Sequence, residues 1–235
     1  MQLIVNLDSN NFEMPYDHSY QLYSSLLALV ARQNEFTATR LHQYDSGLKF
    51  SMSQLMPGGR RGFTKVGFHG ERFVFILSSL DNVLINIFKD SLNSAGDIEI
   101  FKNKFKIHSI LSREITPSSE IITVKSRSPV ILKDNGKYLL NESDEQILSV
   151  LESNINGKYF KVKRSKPNLR FIKILSIKRK VVGIKGIKLP GLMITFTICA
   201  DIEVLKFILS VGIGSKNQLG FGFVEEEKVG CKDGN

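Results

Sequence analysis

A glycine-rich string near the end of the chain is the feature that most constrains the fold. The string runs Val211-Gly-Ile-Gly-Ser-Lys-Asn-Gln-Leu-Gly-Phe-Gly-Phe223, so two Gly-x-Gly pairs enclose a polar segment. The residues before it have the apolar period of a helix, over 201–210, and those after it alternate like a strand. Glycine in such a connection tolerates positive φ and lets the backbone approach another group closely. We expect a loop whose backbone N–H groups bind a phosphate, formed by Gly212, Gly214, Lys216, Asn217, Gly220 and Gly222.

Two common phosphate-binding motifs do not fit this string. The Walker pattern needs Lys-Ser or Lys-Thr after its last glycine, and no such pair follows Gly222. The dinucleotide fingerprint needs a glycine where Asn217 stands, and it runs from strand to helix instead of helix to strand. On the glycines alone, a helix stop at Gly212 followed by a glycine-rich hairpin remains an open alternative.

The charge of the chain is concentrated in one segment. The formal net charge is +9, and the segment from Ser153 to Ala200 contains twelve Lys and Arg but no Asp or Glu. One concentrated basic face on a near-neutral body is typical of a nucleic-acid-binding protein, although a solvated lysine surface would have the same composition. From this segment we expect RNA contacts by Lys163, Arg164, Lys166, Arg170, Lys178 and Arg179.

Hydrophobic periodicity predicts an α+β fold. A strand over 2–7 is followed by a helix over 18–32, with Asp17 as its candidate N-cap, and then by two strands, a helix over 82–92 and further strands that end at 121–125. The order β-α-β-β-α-β is the ferredoxin-like pattern. A similar order recurs more loosely in the second half, which includes a helix over 143–155. The junction between the halves is predicted near 126–129.

The glycine string as a whole resembles the C-terminal glycine-rich loop of the repeat-associated mysterious proteins (RAMP superfamily), which bind CRISPR RNA. Within that superfamily the chain is most similar to the Cas six family of endoribonucleases, which cut CRISPR repeat RNA. A second similarity is the segment from Arg40 to Leu55, in which a histidine follows a leucine at the end of a short helix. The resemblance implies two tandem ferredoxin-like (RRM-like) domains, which we place at 1–126 and 127–235.

The resemblance also implies a catalytic histidine, and His42 is its match in this chain. Cleavage of RNA without a metal requires attack of the ribose 2′-OH on the neighbouring phosphorus, with a base for the 2′ proton and an acid for the leaving 5′ oxygen. Histidine suits such proton transfers because its ordinary pKa is about 6.5. The products would be a 2′,3′-cyclic phosphate and a 5′-OH.

The other members of the family's Tyr-His-Lys triad match less well. Leu27 stands where the family has its tyrosine, so Tyr23, one turn earlier, or Tyr20 would have to replace it. The family's lysine position falls on Leu48, and Lys49 comes one residue later. On a strand this shift places the side chain on the opposite face of the sheet, unless a bulge over 45–47 restores the register. The alternatives for the positive charge are Arg40, Arg60 and Arg61. His18 is a further catalytic candidate, because it begins the helix expected to flank the site.

We expect CRISPR repeat RNA (pre-crRNA) as the partner, with other CRISPR effector subunits as further partners, and a monomer or homodimer. No metal or cofactor is expected, since none of the four histidines has a metal-ligand spacing and Cys199 and Cys231 form no pair that predicts a zinc site or a disulfide. The chain starts without a signal-peptide pattern, so we expect a soluble, cytoplasmic protein with no membrane contact. The alternative functions are a non-catalytic repeat-RNA binder and a structural subunit of a CRISPR effector complex.

Overall fold

We describe the protein from a computed structural model, for residues 1–43, 49–139, 142–184 and 186–227. The turn predicted over 45–47, the family's lysine position at Leu48 and the second cysteine, Cys231, lie outside these residues.

The first half of the chain forms one antiparallel sheet covered by helices. The strands are β1 (Gln2–Asp8), β2 (Met14–Pro15), β3 (Phe50–Met52), β4 (Met56–Phe63), β5 (Gly67–Ser79), β6 (Asp97–Ile100) and β7 (Asn103–Arg113). The helices are α1 (Ser19–Gln33), α2 (Glu35–His42) and α3 (Asn82–Ala95). β1 lies at the centre between β5 and β7, and β4 pairs with the other edge of β5. The order β4-β5-β1-β7 is that of a ferredoxin-like sheet.

The second half repeats this arrangement. Its strands are β8 (Ile121–Ser126), β9 (Lys133–Asp134), β10 (Lys137–Tyr138), β11 (Leu169–Ile184), β12 (Ile187–Ala200) and β13 (Val224–Glu226). Its helices are α4 (Asp144–Lys163) and α5 (Ile202–Val211). The sheet order is β11-β12-β8-β13, and the chain order β8-α4-β11-β12-α5-β13 is again β-α-β-β-α-β. The predicted α+β class with two tandem ferredoxin-like folds is confirmed.

Strand β8 belongs to the second sheet, whereas the sequence pattern predicted the first. The sequence placed 121–125 at the end of the first unit, but β8 pairs with β12 and β13 and occupies the first-strand position of the second sheet. By strand pairing, the chain passes from one sheet to the other between Arg113 and Ile121. Alternating apolar residues identify a strand, but they do not say which sheet supplies its partners.

Helix α4 is two turns longer than expected, because it continues past Ile155 to Lys163. Gly157 lies in the extension, and glycine lowers helix propensity, so the sequence pattern favoured an earlier end. Tertiary packing overrides that preference, since the buried Tyr159 packs edge-on against Phe207 of α5 with ring centroids 5.0 Å apart. The extension carries Lys158, which reaches the glycine-rich string.

Each half has its own hydrophobic core, and a small apolar cluster joins them. The cluster contains Ile131, Ile184, Leu189 and Phe221, with Tyr20 of α1 and Leu219 packed against it. A polar contact also crosses between the halves, because the hydroxyl of Ser51 in β3 donates to the carbonyl of Ser210 in α5, at 3.0 Å. These contacts hold the N-terminal part of α1, the C-terminal end of α2, the start of β3 and the glycine-rich string around one space. Within the described ranges, no helix combines the length and the apolar character needed to cross a membrane.

Candidate active site

A cavity of about 620 Å³ lies between the two halves. Its first wall is formed by α1, α2 and the start of β3, and its second wall by α4, α5 and the glycine-rich string. The polar side chains on these walls are Tyr20, Tyr23, His42, Lys49, Ser153, Asn154, Lys158, Lys161, Ser215, Lys216, Asn217 and Gln218. The structure thus brings together three of the predicted catalytic residues and three of the predicted loop residues, Gly214, Lys216 and Asn217.

His42 is the last residue of α2, and its side chain is exposed at the cavity. Its ring lies 6.4 Å from the ring of Tyr23, in an edge-to-face arrangement. The Tyr23 hydroxyl donates to the carbonyl of Leu41, at 3.2 Å, and so ties α1 to the end of α2. Burial, and to a lesser extent Tyr20, raise the pKa of Tyr23. Tyr23 therefore remains a neutral phenol beside the imidazole.

Leu27, at the position where the family has its tyrosine, is buried in the first core and does not line the cavity. Tyr20 and Tyr23 both line it. The two tyrosines named as substitutes are therefore at the site, and Tyr23 is the one whose ring packs against His42.

Lys49 also lines the cavity. Its backbone carbonyl accepts a hydrogen bond of 2.7 Å from the Ser79 hydroxyl at the end of β5, which anchors this residue just before β3. Arg40, Arg60 and Arg61, the alternatives for the positive charge, are not among the cavity residues. Arg40 lies over the Phe36 ring, and the exposed Arg60 of β4 is 4.0 Å from Glu71 of β5.

His18 does not have the surroundings of a catalytic histidine. It is 1% exposed, its Nδ1 donates to the carbonyl of Pro15 at 2.7 Å, and its Nε2 accepts from the N–H of Leu55 at 2.9 Å. Burial lowers the pKa of His18 to about 4, against smaller opposing effects of the Pro15 carbonyl and Asp17. Both ring nitrogens are occupied in a neutral ring, so His18 joins the start of α1 to the segment before β4. It also stands at the N-cap in place of Asp17, whose carboxylate accepts from the N–H of Gly183.

The glycine-rich string does not form the expected open cup. Its four glycines are buried, and their N–H groups already donate within the protein: Gly212 to Ile208, Gly214 to the Asn154 side chain, Gly220 to Asn217 of the string itself and Gly222 to Pro129. All four have positive φ. A Cβ on Gly222 would lie 1.9 Å from the carbonyl oxygen of Ile213. The glycines therefore permit a closed loop, and the exposed Lys216 is the loop's own cation at the cavity.

Asn217 closes the loop from inside. Its Nδ2 donates to the carbonyls of Ile213, at 2.8 Å, and Phe221, at 3.0 Å, which joins the two ends of the loop. Its Oδ1 accepts from the ammonium of Lys158, at 2.6 Å, and this ammonium also donates to the carbonyl of Gly212, at 3.0 Å. Asn217 is therefore a structural centre of the loop as well as a cavity residue.

Sequence reasoning counted Lys158 only as one of the twelve basic residues and missed its place in the site. The signal was present, since Asn154, Lys158 and Lys161 are spaced i, i+4 and i+7 and share one helical face once α4 extends to Lys163. Burial, and then the charge of Lys49, lower the pKa of Lys158 to about 7. The carbonyl oxygens around it act in the opposite sense, because they stabilise the ammonium.

The remaining basic residues lie along α4 and the edge strand β11. Arg170, Lys178 and Arg179 are exposed on β11, while Lys163 forms an exposed ion pair of 2.5 Å with Glu203. Arg164, with φ of 58°, ends α4, and Lys166 is exposed in the loop after it. None of these residues lines the cavity. Within the described ranges, no group of three or more His, Cys, Asp or Glu side chains is arranged to hold a metal ion.

Comparison with known proteins finds the family that the sequence resembles, over nearly the whole chain. The family model described as CRISPR-associated protein Cas6, N-terminal, matches residues 13–111, and the model described as CRISPR associated protein Cas6, C-terminal, matches residues 112–226. The CRISPR-associated endoribonuclease Cas6 1 of Methanocaldococcus jannaschii is 27% identical, over 95% of this chain and 92% of that protein. The CRISPR-associated endoribonuclease Cas6 of Pyrococcus furiosus is 25% identical, over 92% of this chain and 84% of that protein. A solved structure of a CRISPR associated protein Cas6 superposes with a TM-score of 0.82 at 26% identity, over 97% of this chain and 99% of that one.

Proposed function

The chain belongs to the Cas6 family of CRISPR-associated proteins, and from this membership we propose that it is the endoribonuclease that cuts CRISPR repeat RNA to release guide RNAs. The observation that carries the proposal is the meeting of His42, Lys49 and Tyr23 at one cavity whose opposite wall is basic. Such a cavity combines a proton-transfer group with cations for a phosphate.

The reaction is cleavage by the RNA's own 2′-OH. The imidazole of His42 acts as general acid or general base, since it is exposed at the cavity and histidine exchanges protons readily near neutral pH. The ammonium of Lys49 stabilises the additional negative charge that develops on the phosphorus oxygens in the transition state. The products are a 2′,3′-cyclic phosphate and a 5′-OH, and no metal ion takes part in this scheme.

Tyr23 acts through His42 in this scheme. Its hydroxyl is used by the carbonyl of Leu41, and its ring packs against the imidazole edge-to-face. It therefore holds the end of α2 and the orientation of His42. In this scheme it stands beside the histidine, as the tyrosine of the triad would, but it transfers no proton in the reaction.

The RNA backbone is held by Lys216 at the cavity and by the exposed basic residues of the second half of the chain. Lys216 supplies a phosphate contact at the cavity, and the exposed Lys166, Arg170, Lys178 and Arg179 extend the positive surface along β11. Lys163 contributes less, because Glu203 already neutralises it. We place this activity in the cytoplasm, with one or two protein copies on each repeat.

The test is incubation of the protein with repeat RNA from its own CRISPR locus in EDTA. A second substrate carries a single 2′-deoxy sugar at the cut site, and a third is the DNA of the same sequence. We expect one cut per repeat in the RNA, ends that are a 2′,3′-cyclic phosphate and a 5′-OH, and no cut in the other two. Cleavage that needs a divalent ion, or that cuts the deoxy substrate, contradicts the scheme.

Gel filtration with uncleavable repeat RNA separates the enzyme from a structural subunit. An endoribonuclease of this kind gives a complex with one or two copies of the protein. A series of larger complexes in which several copies coat the RNA would contradict the proposal.

A further inference from the structure

Lys158 joins two parts of the molecule that the sequence keeps apart. It belongs to α4, and its ammonium donates to Gly212 and to the side chain of Asn217 in the glycine-rich string. Since Asn217 in turn joins both ends of the string through Ile213 and Phe221, the ammonium group ties the loop to the helix, beside the hydrogen bond from Gly214 to Asn154 of the same helix. Without it, two carbonyl oxygens at the cavity wall lose the donor that they have in this structure.

The surroundings of this ammonium are unusually positive. The charged and titratable side chains that share the cavity with it are Lys49 and His42 on the first wall, Lys161 on α4 and Lys216 on the loop, together with the phenols of Tyr20 and Tyr23. Among the described residues, no Asp or Glu lines the cavity. Burial and the nearby Lys49 lower the pKa of Lys158 to about 7 in the absence of an anion.

The number of N–H donors on the Lys158 side chain connects its protonation state to the structure of the loop. A neutral amine has two N–H donors, and the two acceptors in the loop, on Gly212 and Asn217, use both. An ammonium has three donors. Protonation of the amine therefore adds a third N–H at the cavity wall. The two hydrogen bonds to the loop are kept, and they become charge-assisted.

We propose that Lys158 is a positioning residue for the reaction proposed above, which couples the binding of an RNA phosphate in the cavity to the shape of the glycine-rich loop. The phosphate supplies the negative charge that the lining lacks, so Lys158 gains a proton when RNA binds. The ammonium then contacts the phosphate with its third N–H and holds Lys216 and Asn217 in place with the other two. The inference rests on the proposed function, because the phosphate is that of the bound repeat RNA.

Cleavage is measured first, in single-turnover reactions with saturating protein. Lys158→Met keeps the length of the side chain and removes its donors and charge, and we expect a rate loss of roughly 10- to 100-fold, as for a lost charge-assisted hydrogen bond next to the site. Lys158→Arg keeps donors and charge and is expected to retain more of the rate than Lys158→Met. Lys161→Met is the matched control, since Lys161 lines the same cavity from the same helix but is exposed.

Proton uptake is the readout that a purely structural lysine would not change. Binding of repeat RNA with a 2′-deoxy sugar at the cut site is measured by calorimetry at about pH 7.5, in buffers of different ionisation enthalpy. A His42→Ala background removes the imidazole from the measurement. We expect an uptake of roughly half a proton or more per RNA in this background, and an uptake near zero when Lys158 is also Met or Arg. Lys161→Met in the same background retains the uptake.

Each outcome has one meaning. Wild-type protein that does not cut repeat RNA overturns the proposed function, whereas cleavage by wild type and by Lys158→Met at equal rates overturns only the role of Lys158. Uptake that persists without Lys158 overturns the coupling. If Lys158→Met unfolds, the arginine variant still decides, because it keeps the hydrogen bonds but does not change its charge on binding.

Discussion

The two walls of the cavity differ in how their functional groups are held: the first leaves a side chain accessible, and the second fixes a closed loop. The first wall presents side chains at or near the ends of its elements, and the exposed His42 at the end of α2 is held through its neighbours Leu41 and Tyr23. The second wall is a closed loop, in which buried glycines, Asn217 and Lys158 satisfy one another. A group that exchanges protons with a substrate has to remain accessible, whereas a surface that holds a phosphate gains from a fixed shape. We therefore expect substitutions of His42 to change mainly the cleavage rate and substitutions of the loop glycines to change mainly stability. Lys158, which contacts both the loop and the cavity, should affect the rate as well.

The largest effect should follow from His42→Ala. We expect the single-turnover cleavage rate to fall by about 10²- to 10⁴-fold, the usual contribution of a general acid or base. The affinity for uncleavable RNA should change by less than about fivefold, because an exposed side chain contributes little to binding. His69→Ala is the control, since His69 is an exposed histidine on β5, away from the cavity. An unchanged rate in His42→Ala would remove the catalytic role from the first wall.

The second effect tests the closed loop. We expect Gly222→Ala to reduce the free energy of unfolding by more than about 3 kcal/mol, because its Cβ would lie 1.9 Å from a backbone oxygen and its φ is 61°. The matched control is Gly136→Ala, which has a φ of 81° and no atom within 4 Å of the new Cβ, so it measures the effect of the backbone angle alone. We expect a loss of about 1 to 2 kcal/mol there. Denaturant unfolding measures both variants, and equal losses would contradict the close approach at Gly222.

The third effect tests the buried, structural role of His18 against an exposed histidine. Because burial lowers the pKa of His18 to about 4, the unfolded chain binds more protons than the folded one between about pH 4 and 6.5. The contribution of neutral His18 to the free energy of unfolding is therefore complete above about pH 6.5. This contribution, up to about 3 kcal/mol, is lost as the pH falls through about 4.

Unfolding measured between about pH 7 and 4 checks this prediction. His18→Gln removes this part of the pH dependence, whereas His69→Gln, at an exposed position, should retain it. A His18→Gln protein whose stability still falls with the wild-type slope would mean that folding does not lower the pKa of His18.

The smallest effect should come from Tyr23→Phe. The variant loses the hydrogen bond to Leu41 but keeps the ring beside His42, so we expect about 1 kcal/mol lower stability and a rate reduced by only a few fold. Tyr20→Phe is the comparison, since Tyr20 lines the same cavity. A loss of about 100-fold or more in either variant would place a phenol proton in the reaction and would make the first wall a true triad.

Much of the fold could be predicted from the sequence, because it depends on local patterns. The alternation in β1, the apolar period of α1 and α5, and the positive-φ demand of the glycines are properties of neighbouring residues. His42 was found because a leucine and a histidine at the end of a short helix form a recognisable segment. The end of α4 was predicted too early, since the packing of Tyr159 on Phe207 comes from a helix more than forty residues away.

The sequence by itself determined the α+β class, the family and the position of the candidate histidine, because these follow from residue types and their spacing along the chain. Only the tertiary structure decided that β8 opens the second sheet, that His18 is a buried structural residue and that the glycines close a loop. It also decided that Lys49 and Lys158 meet at one cavity, although 109 positions separate them. Burial, the pairing of each N–H and the proximity of two charges depend on which distant segments pack together, and no local pattern contains that information.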